Sequence, residues 1–150
     1  MTGIRAGAGV QLRQDADYRF TVTFAPELPE LHSDEAPPLG QGAGPSPVQL
    51  LAAAVGNCLA ASLLFALRKF KQAPEPISAS AEAVVGRSEQ NRLRVQRIDV
   101  RLTLGATAAS LQHLDKALEQ FEEFCTVTQS VRGGFPVEVQ VYDSEGQRLK

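Results

Sequence analysis

The sequence predicts a single domain over residues 1–150 that combines β-strands with two long helices. Residues 9–25 and 77–104 alternate apolar and polar side chains, which is typical of strands. Residues 47–71 and 108–131 carry apolar side chains at helical spacing. A chain of this length can bury one sizeable core, so a mixed helix-and-strand domain is the expected fold class.

The composition excludes several classes of protein. With 43% hydrophobic residues and a net charge of −2, the chain is too apolar for disorder and has no excess of positive charge for nucleic acid. The lack of Trp argues against a stacking surface for single-stranded nucleic acid. Two cysteines are too few for a disulfide-stapled domain or a four-thiolate zinc site, so no metal or organic cofactor is predicted.

The start of the chain bears on its location. Residues 1–7 lack the apolar stretch of a secretory signal, so a cytoplasmic location is expected. In that reducing environment a pair of cysteines is more often redox-active than a permanent cross-link.

Residues 9–25 are expected to form two short strands joined by a turn at residues 15–17. Residues 26–46 are rich in proline and glycine and show no periodicity, so they are expected to form a long loop. A loop of this length in a compact domain is usually functional or disordered. Asp34 and Glu35 are candidates for ordering it.

The central helix, residues 47–71, has a well-marked start. Ser46 suits the N-cap and Pro47 suits the first helical position, whereas Pro74 prevents continuation. The helix is apolar on nearly every side and long enough to cross a bilayer. It lacks an aromatic belt, however, so we interpret it as a buried helix. Cys58 lies near its middle.

Residues 77–104 are expected to form a pair of strands. In the second strand Leu93 and Val95 are out of phase with Ile98, and a bulge near Gln96 and Arg97 would restore the alternation. The polar face of the pair carries a group of arginines, which either form a solvated surface or bind an anionic partner. Without interleaved aromatic residues the solvated surface is favoured. These arginines are Arg87, Arg92, Arg94, Arg97 and Arg101.

The second helix, residues 108–131, is amphipathic, and Cys125 falls on its apolar stripe. The adjacent Glu122 and Glu123 are expected to face solvent, as is His113. A final strand, residues 135–143, closes the domain. The apolar stripe is formed by Leu111, Leu114, Leu118, Phe121 and Phe124.

The two cysteines can be interpreted in two ways. Each one alone is most simply a small buried hydrophobic residue. Because both fall on inward helix faces, helix packing could instead bring them together as an attacking and a resolving thiol. An attacking thiol needs a nearby cation. The candidates are Arg5, Arg13, Arg19 and Arg132, and their spacing does not choose among them.

Three segments of the chain resemble a known family. Residues 44–58, GPSPVQLLAAAVGNC, resemble the central helix of the OsmC/Ohr family of thiol-dependent peroxidases. Residues 124–131, FCTVTQSV, resemble the second cysteine motif of that family, and residues 34–40, DEAPPLG, resemble its approach loop. The order of the elements and the separation of the two cysteines agree over nearly the whole chain.

The resemblance implies an α+β fold with mainly antiparallel sheets wrapped around two long helices, in an intertwined homodimer. It implies that Cys58 reduces organic hydroperoxides or hydrogen peroxide through a sulfenic acid, and that Cys125 resolves it as a disulfide. The reductant would be a small dithiol or a lipoylated protein. Neither nucleic acid nor a membrane is expected as a partner.

The sequence departs from the family at three positions. Val48 and Gln49 occupy the turn in which peroxidase members carry a glutamate, and Thr126 stands in place of a proline. Gln49 could hydrogen-bond the activating arginine, for which Arg19 is our candidate, with His32 as a further possibility. The departures leave an alternative function, a non-enzymatic binding protein with an apolar pocket for a small ligand at the dimer interface. A third interpretation is an interaction subunit whose cysteines are structural.

Overall fold

The computed structural model describes residues 7–150. The chain divides into two compact units, residues 1–50 and 51–150. Both units contain β-sheet, and the mixed α+β class is confirmed. The single-domain organisation stays a prediction.

The first unit contains a three-stranded antiparallel sheet in the order β1 (Gln11–Ala16), β2 (Arg19–Thr23) and β3 (Leu31–Ser33). The hairpin between β1 and β2 turns through Asp17, whose φ of 48° is left-handed. The turn therefore lies slightly later than predicted.

Strand β3 corrects the expectation that residues 26–46 form only a loop. It pairs with β2 through the partners Thr21 and His32, and Ser33 is buried. Three residues are too few to show the alternation of apolar and polar side chains that predicts a strand. Strand β3 forms because it pairs with the edge of β2 that β1 leaves free.

The rest of this loop is ordered by one carboxylate. Asp34 is buried and accepts hydrogen bonds from the backbone N–H groups of Glu35 at 2.8 Å, Gln41 at 3.1 Å and Ala43 at 3.1 Å. Gly40 lies so close to Asp34 that a Cβ there would be 2.3 Å from its carboxylate. The bond from Ala43, followed by those from Gln41 and Glu35, holds the pKa of Asp34 below its usual range. Asp34 thus has the ordering role expected of it.

Helix α1 (Pro47–Lys69) starts at the predicted residue. Ser46 and Gln49 form a reciprocal capping box: the Ser46 N–H donates to Gln49 Oε1 at 2.9 Å, and the Gln49 N–H donates to Ser46 Oγ at 3.2 Å. The helix ends two residues earlier than predicted, followed by Lys71 with a φ of 58°.

The second unit contains the sheet β4 (Ser78–Arg87), β5 (Leu93–Thr103) and β6 (Val137–Tyr142), in that order. Strands β4 and β5 are antiparallel, whereas β5 and β6 are parallel. The predicted bulge is confirmed: Val84 pairs with Arg97 and Val85 with Val95, which leaves Gln96 as the extra residue. The arginines predicted to be solvated are all exposed, and Arg97 donates to both oxygens of Asp99 at 3.0 Å.

The core of this unit is built around α1. By length and composition, α1 is long and apolar enough to cross a membrane. Eight of its residues are nevertheless buried, as the interpretation of a core helix requires. Its buried leucines pack in one cluster with apolar residues of β5, β6 and the segment before Cys125. The central members are Val55, Leu59, Leu63, Leu67, Ile98, Leu102, Phe121 and Val141.

The prediction of one continuous helix over residues 108–131 is wrong. The region consists of a 3₁₀ turn, Ala108–Ser110, then α2 (Leu114–Gln120), a second 3₁₀ turn, Phe121–Phe124, and α3 (Thr126–Val131). His113 has a left-handed φ of 57° and Cys125 has an extended ψ of 96°, so neither residue continues a helix. The unit therefore has one long helix, not the expected two.

Candidate active site: the thiols of Cys58 and Cys125

Cys58 lies about three turns into α1, where the effect of the helix dipole has faded. Its neighbours in the helix, Val55 and Leu59, are fully buried, whereas Cys58 itself is half-buried and packs against the edge of the core. The position of this thiol is therefore fixed by the packing of a continuous helix.

Cys125 lies at the break between the 3₁₀ turn Phe121–Phe124 and α3, and it is fully buried. Its Sγ accepts a hydrogen bond from the Thr128 N–H at 3.4 Å, so the thiol caps α3. Its S–H donates to Thr128 Oγ1 at 3.0 Å. This thiol is therefore oriented by specific polar contacts.

Both predicted cysteines are free thiols, and Cys58 packs against the core cluster to which Cys125 belongs. Burial raises the pKa of the Cys125 thiol, and the neighbouring Cys58 thiol raises it further, whereas hydrogen bonds with Thr128 lower it. The net effect is a raised pKa, so Cys125 is a protonated thiol at neutral pH. The roles of the two cysteines stay predictions.

Glu122 anchors the segment that carries Cys125. Its carboxylate accepts a hydrogen bond from Arg132 Nη2 at 2.5 Å and another from Lys150 Nζ. Its backbone carbonyl accepts the N–H of Cys125 at 3.2 Å. Burial raises the pKa of Glu122, but Lys150 and Arg132 outweigh this, and the pKa lies below its usual range.

One sequence expectation is corrected by this anchor. Glu122 was expected to face solvent, yet only 15% of its side chain is exposed. Arg132, a candidate for activating a thiolate, donates to Glu122 and to the carbonyl of Val137 at 2.8 Å, and its candidacy stays a prediction. Sequence reasoning missed the anchor because Lys150 is far from Glu122 along the chain. The exposure of Glu123 and His113 is as predicted, and His113 stacks on Phe70 with 5.1 Å between ring centres.

The other candidate cations lie in the first unit. Arg13 forms an ion pair with Asp15 at 3.2 Å. The Thr21 hydroxyl donates to Asp15 at 2.5 Å and lies 3.2 Å from His32 Nδ1. The hydroxyl of Thr21 is the main cause of a lowered pKa at Asp15. The His32 side chain is thus part of a local polar network on the sheet.

Arg19 is exposed on β2, and within residues 7–150 its guanidinium forms no hydrogen bond or ion pair. Its charge contributes to the lowered pKa of Asp15 and Asp34. Its assignment as the activating arginine stays a prediction, whereas Arg5 lies outside the described residues. Gln49 has a structural role, because its side-chain oxygen is occupied in the capping box.

In residues 7–150 no three His, Cys, Asp or Glu side chains lie close enough together to hold an ion.

The fold and the site define an α+β protein with one thiol on its core helix and a second in the broken helical segment before the last strand. A sequence model described as OsmC-like protein matches residues 40–140. The chain belongs to this family. A search of curated proteins gave no match.

Solved structures with the same fold are distant in sequence. An OsmC-like protein of unknown function from Vibrio cholerae superposes with a TM-score of 0.77 at 17% identity, covering 91% of this chain and 99% of that one. A structure from Legionella pneumophila, named an organic hydroperoxide resistance protein OsmC and predicted redox protein, superposes with a TM-score of 0.69 at 18% identity. The match covers 91% of this chain and 98% of that one. An organic hydroperoxide resistance protein from Elizabethkingia anophelis gives 0.71 at 14% identity, covering 94% and 100%.

Proposed function

We propose that this protein contributes to peroxide resistance as a thiol-dependent peroxidase that reduces organic hydroperoxides or hydrogen peroxide. The observation that carries the proposal is a pair of free thiols in unequal environments, one half-buried and one fully buried, at the same apolar core. The family supports it, because two of the similar structures are named organic hydroperoxide resistance proteins.

The chemistry balances with these two thiols alone. The Cys58 thiolate attacks the terminal oxygen of the hydroperoxide; the O–O bond breaks, an alcohol or water leaves, and Cys58 becomes a sulfenic acid. The Cys125 sulfur then attacks the Cys58 sulfur, the S–O bond breaks and water leaves. Two thiols are oxidised to one disulfide, and one peroxide is reduced.

The unequal environments support this assignment of roles. Cys58 is half-buried, whereas Cys125 is fully buried and has a raised pKa. A protonated thiol is a poor first nucleophile. Cys125 is therefore assigned to the second step, in which it reacts as a thiolate with the sulfenic acid of Cys58.

The proposal includes a homodimer in the cytoplasm and a dithiol or lipoylated protein as reductant. The exposed side of α1 supports the dimer, because Ala53, Ala54, Ala61 and Phe65 are exposed there beside the polar Asn57, with Phe65 56% exposed. Exposed apolar residues grouped on one surface are typical of an interface between proteins. Half-exposure of Cys58 supports the reductant, because an external thiolate has to reach one sulfur of the disulfide.

The test is a thiol count after exposure of the reduced protein to cumene hydroperoxide. We expect both thiols to disappear together, Cys58→Ser to consume no peroxide, and Cys125→Ser to accumulate a sulfenic acid that dimedone traps. If both thiols of the wild type stay free over minutes, the proposal is wrong. Stabilisation by apolar ligands without peroxide turnover would favour the binding-protein alternative.

A further inference from the structure

We infer that Thr128 stabilises the thiolate of Cys125 during disulfide formation, which makes it a second functional residue of the resolving step. The inference rests on the proposed function, because it assigns a role in the second half of that reaction. Thr128 lies within the segment 124–131 that resembles the second cysteine motif, but the resemblance assigned it no role.

The geometry around Thr128 is that of a dedicated contact. Its side chain is fully buried in an apolar core, yet it carries a hydroxyl. Within residues 7–150 the single side-chain partner of this hydroxyl is Cys125 Sγ, at 3.0 Å. A threonine in a helix commonly bonds a backbone carbonyl of the preceding turn instead. Here the hydroxyl of Thr128 hydrogen-bonds with the Cys125 sulfur instead.

The contact can reverse its direction when the proton leaves. In the reduced protein the Cys125 S–H donates to Thr128 Oγ1. A threonine hydroxyl carries one donor and two acceptor positions, so rotation about its C–O bond lets it donate to a thiolate. The Thr128 backbone N–H already points at the same sulfur at 3.4 Å. Two donors would then face the negative charge.

The resolving step needs such stabilisation. Cys125 must lose its proton to attack the Cys58 sulfenic acid, and the departing hydroxide takes up a proton to leave as water. Both burial and the adjacent Cys58 thiol oppose the charged form of Cys125, whereas the contacts with Thr128 favour it. Thr128 therefore stabilises the thiolate, which is the reactive form of Cys125.

The first test needs no peroxide and so does not depend on the peroxidase activity. In the Cys58→Ser background, the ultraviolet absorbance of the Cys125 thiolate is followed against pH with and without Thr128→Val. Valine keeps the shape and removes the hydroxyl. We expect the midpoint of the thiolate titration to rise by about one pH unit, because losing a hydrogen bond to the charged form of a thiol raises its pKa by roughly that amount.

Two further variants serve as controls. Thr128→Ser keeps the hydroxyl and should restore the midpoint. Ser130→Ala removes an exposed hydroxyl of the same helix that bonds the Thr126 carbonyl, and it should leave the midpoint unchanged. An equal midpoint with valine and threonine at position 128 overturns the inference, whether or not the protein reduces peroxide.

The second test measures the resolving step itself. Reduced protein receives one equivalent of hydroperoxide, and the sulfenic and disulfide forms are quantified by mass spectrometry after rapid quenching. Near neutral pH Thr128→Val should slow conversion about three- to fourfold, because a tenfold loss of thiolate is partly offset by the greater nucleophilicity of a more basic sulfur. The effect should appear as a shifted pH profile. A uniform slowing at every pH would mean only a disturbed structure and contradict the inference.

Discussion

The two cysteines lie in regions that are built in different ways. Cys58 occupies a continuous helix whose leucines form the centre of the core, so its position follows from apolar packing. Cys125 occupies a break between short helical segments and is held by polar contacts with Thr128 and Glu122. The position of Cys58 thus depends on apolar packing, whereas the orientation of Cys125 depends on a few hydrogen bonds, and the two regions should respond differently to mutation.

The largest expected effect is on the packed region. Leu63 of α1 is fully buried, so Leu63→Ala should lower the free energy of unfolding by about 2–5 kcal/mol through lost burial and a cavity. Denaturant unfolding monitored by circular dichroism measures the loss. Leu93, which is 60% exposed, provides the matched change, and Leu93→Ala should cost less than about 0.5 kcal/mol. Equal costs at both positions would contradict the view of α1 as the centre of the core.

A smaller effect is expected in the polar region. Glu122→Gln removes the charge that pairs with Arg132 and Lys150, both of which are about one-third exposed. Solvent screens the pairs in part, so we expect a loss of about 1–2 kcal/mol, together with faster alkylation of Cys125. The adjacent exposed Glu123 is the control, and Glu123→Gln should change neither quantity. Unchanged alkylation of Cys125 in Glu122→Gln would mean that the anchor does not position the thiol.

The stability difference between the wild type and Glu122→Gln should also depend on pH. Folding lowers the pKa of Glu122. The stability that the ionised Glu122 contributes is therefore fully present above its pKa in the unfolded chain, about 4.3, and is lost as the pH falls through its pKa in the folded protein. The stability difference between wild type and Glu122→Gln should therefore be constant near neutrality and shrink below about pH 4. Chemical unfolding at a series of pH values measures it. A difference that widens on acidification would reverse the assigned sign.

The smallest effect is expected at the start of α1. Gln49→Ala removes one half of the capping box and should cost about 0.5–1 kcal/mol. Gln49→Glu keeps the acceptor and adds a charge that the N-terminus of a helix favours, so it should restore or exceed the wild-type stability. Thermal unfolding of the three proteins compares them. If alanine matches glutamine, the capping role of Gln49 is refuted.

Neighbouring residues in the sequence were sufficient to predict elements marked by a helix cap or by alternating apolar and polar side chains. The start of α1 follows from Ser46 and Pro47, and the bulge at Gln96 follows from the phase of apolar residues within one strand. Strand β3 could not be predicted, because its three residues depend on the free edge of β2.

The broken second helix shows a different limit. No glycine or proline marks His113 or Cys125, and apolar spacing continues through both residues. The break at Cys125 is stabilised by contacts with Thr128 and by the anchor of Glu122 to Lys150, which joins distant parts of the chain. The sequence therefore indicated both cysteines as candidates, whereas their proximity and the role of Thr128 required tertiary structure.

The most direct test of the proposed peroxidase reaction is to identify the disulfide that it forms. The protein is treated with one equivalent of hydroperoxide, alkylated under denaturing conditions and digested, and the cross-linked peptides are identified by mass spectrometry. We expect an intramolecular link between Cys58 and Cys125 that forms in proportion to the peroxide consumed. Peroxide consumption without this link, or a link between the Cys58 residues of two copies, would contradict it.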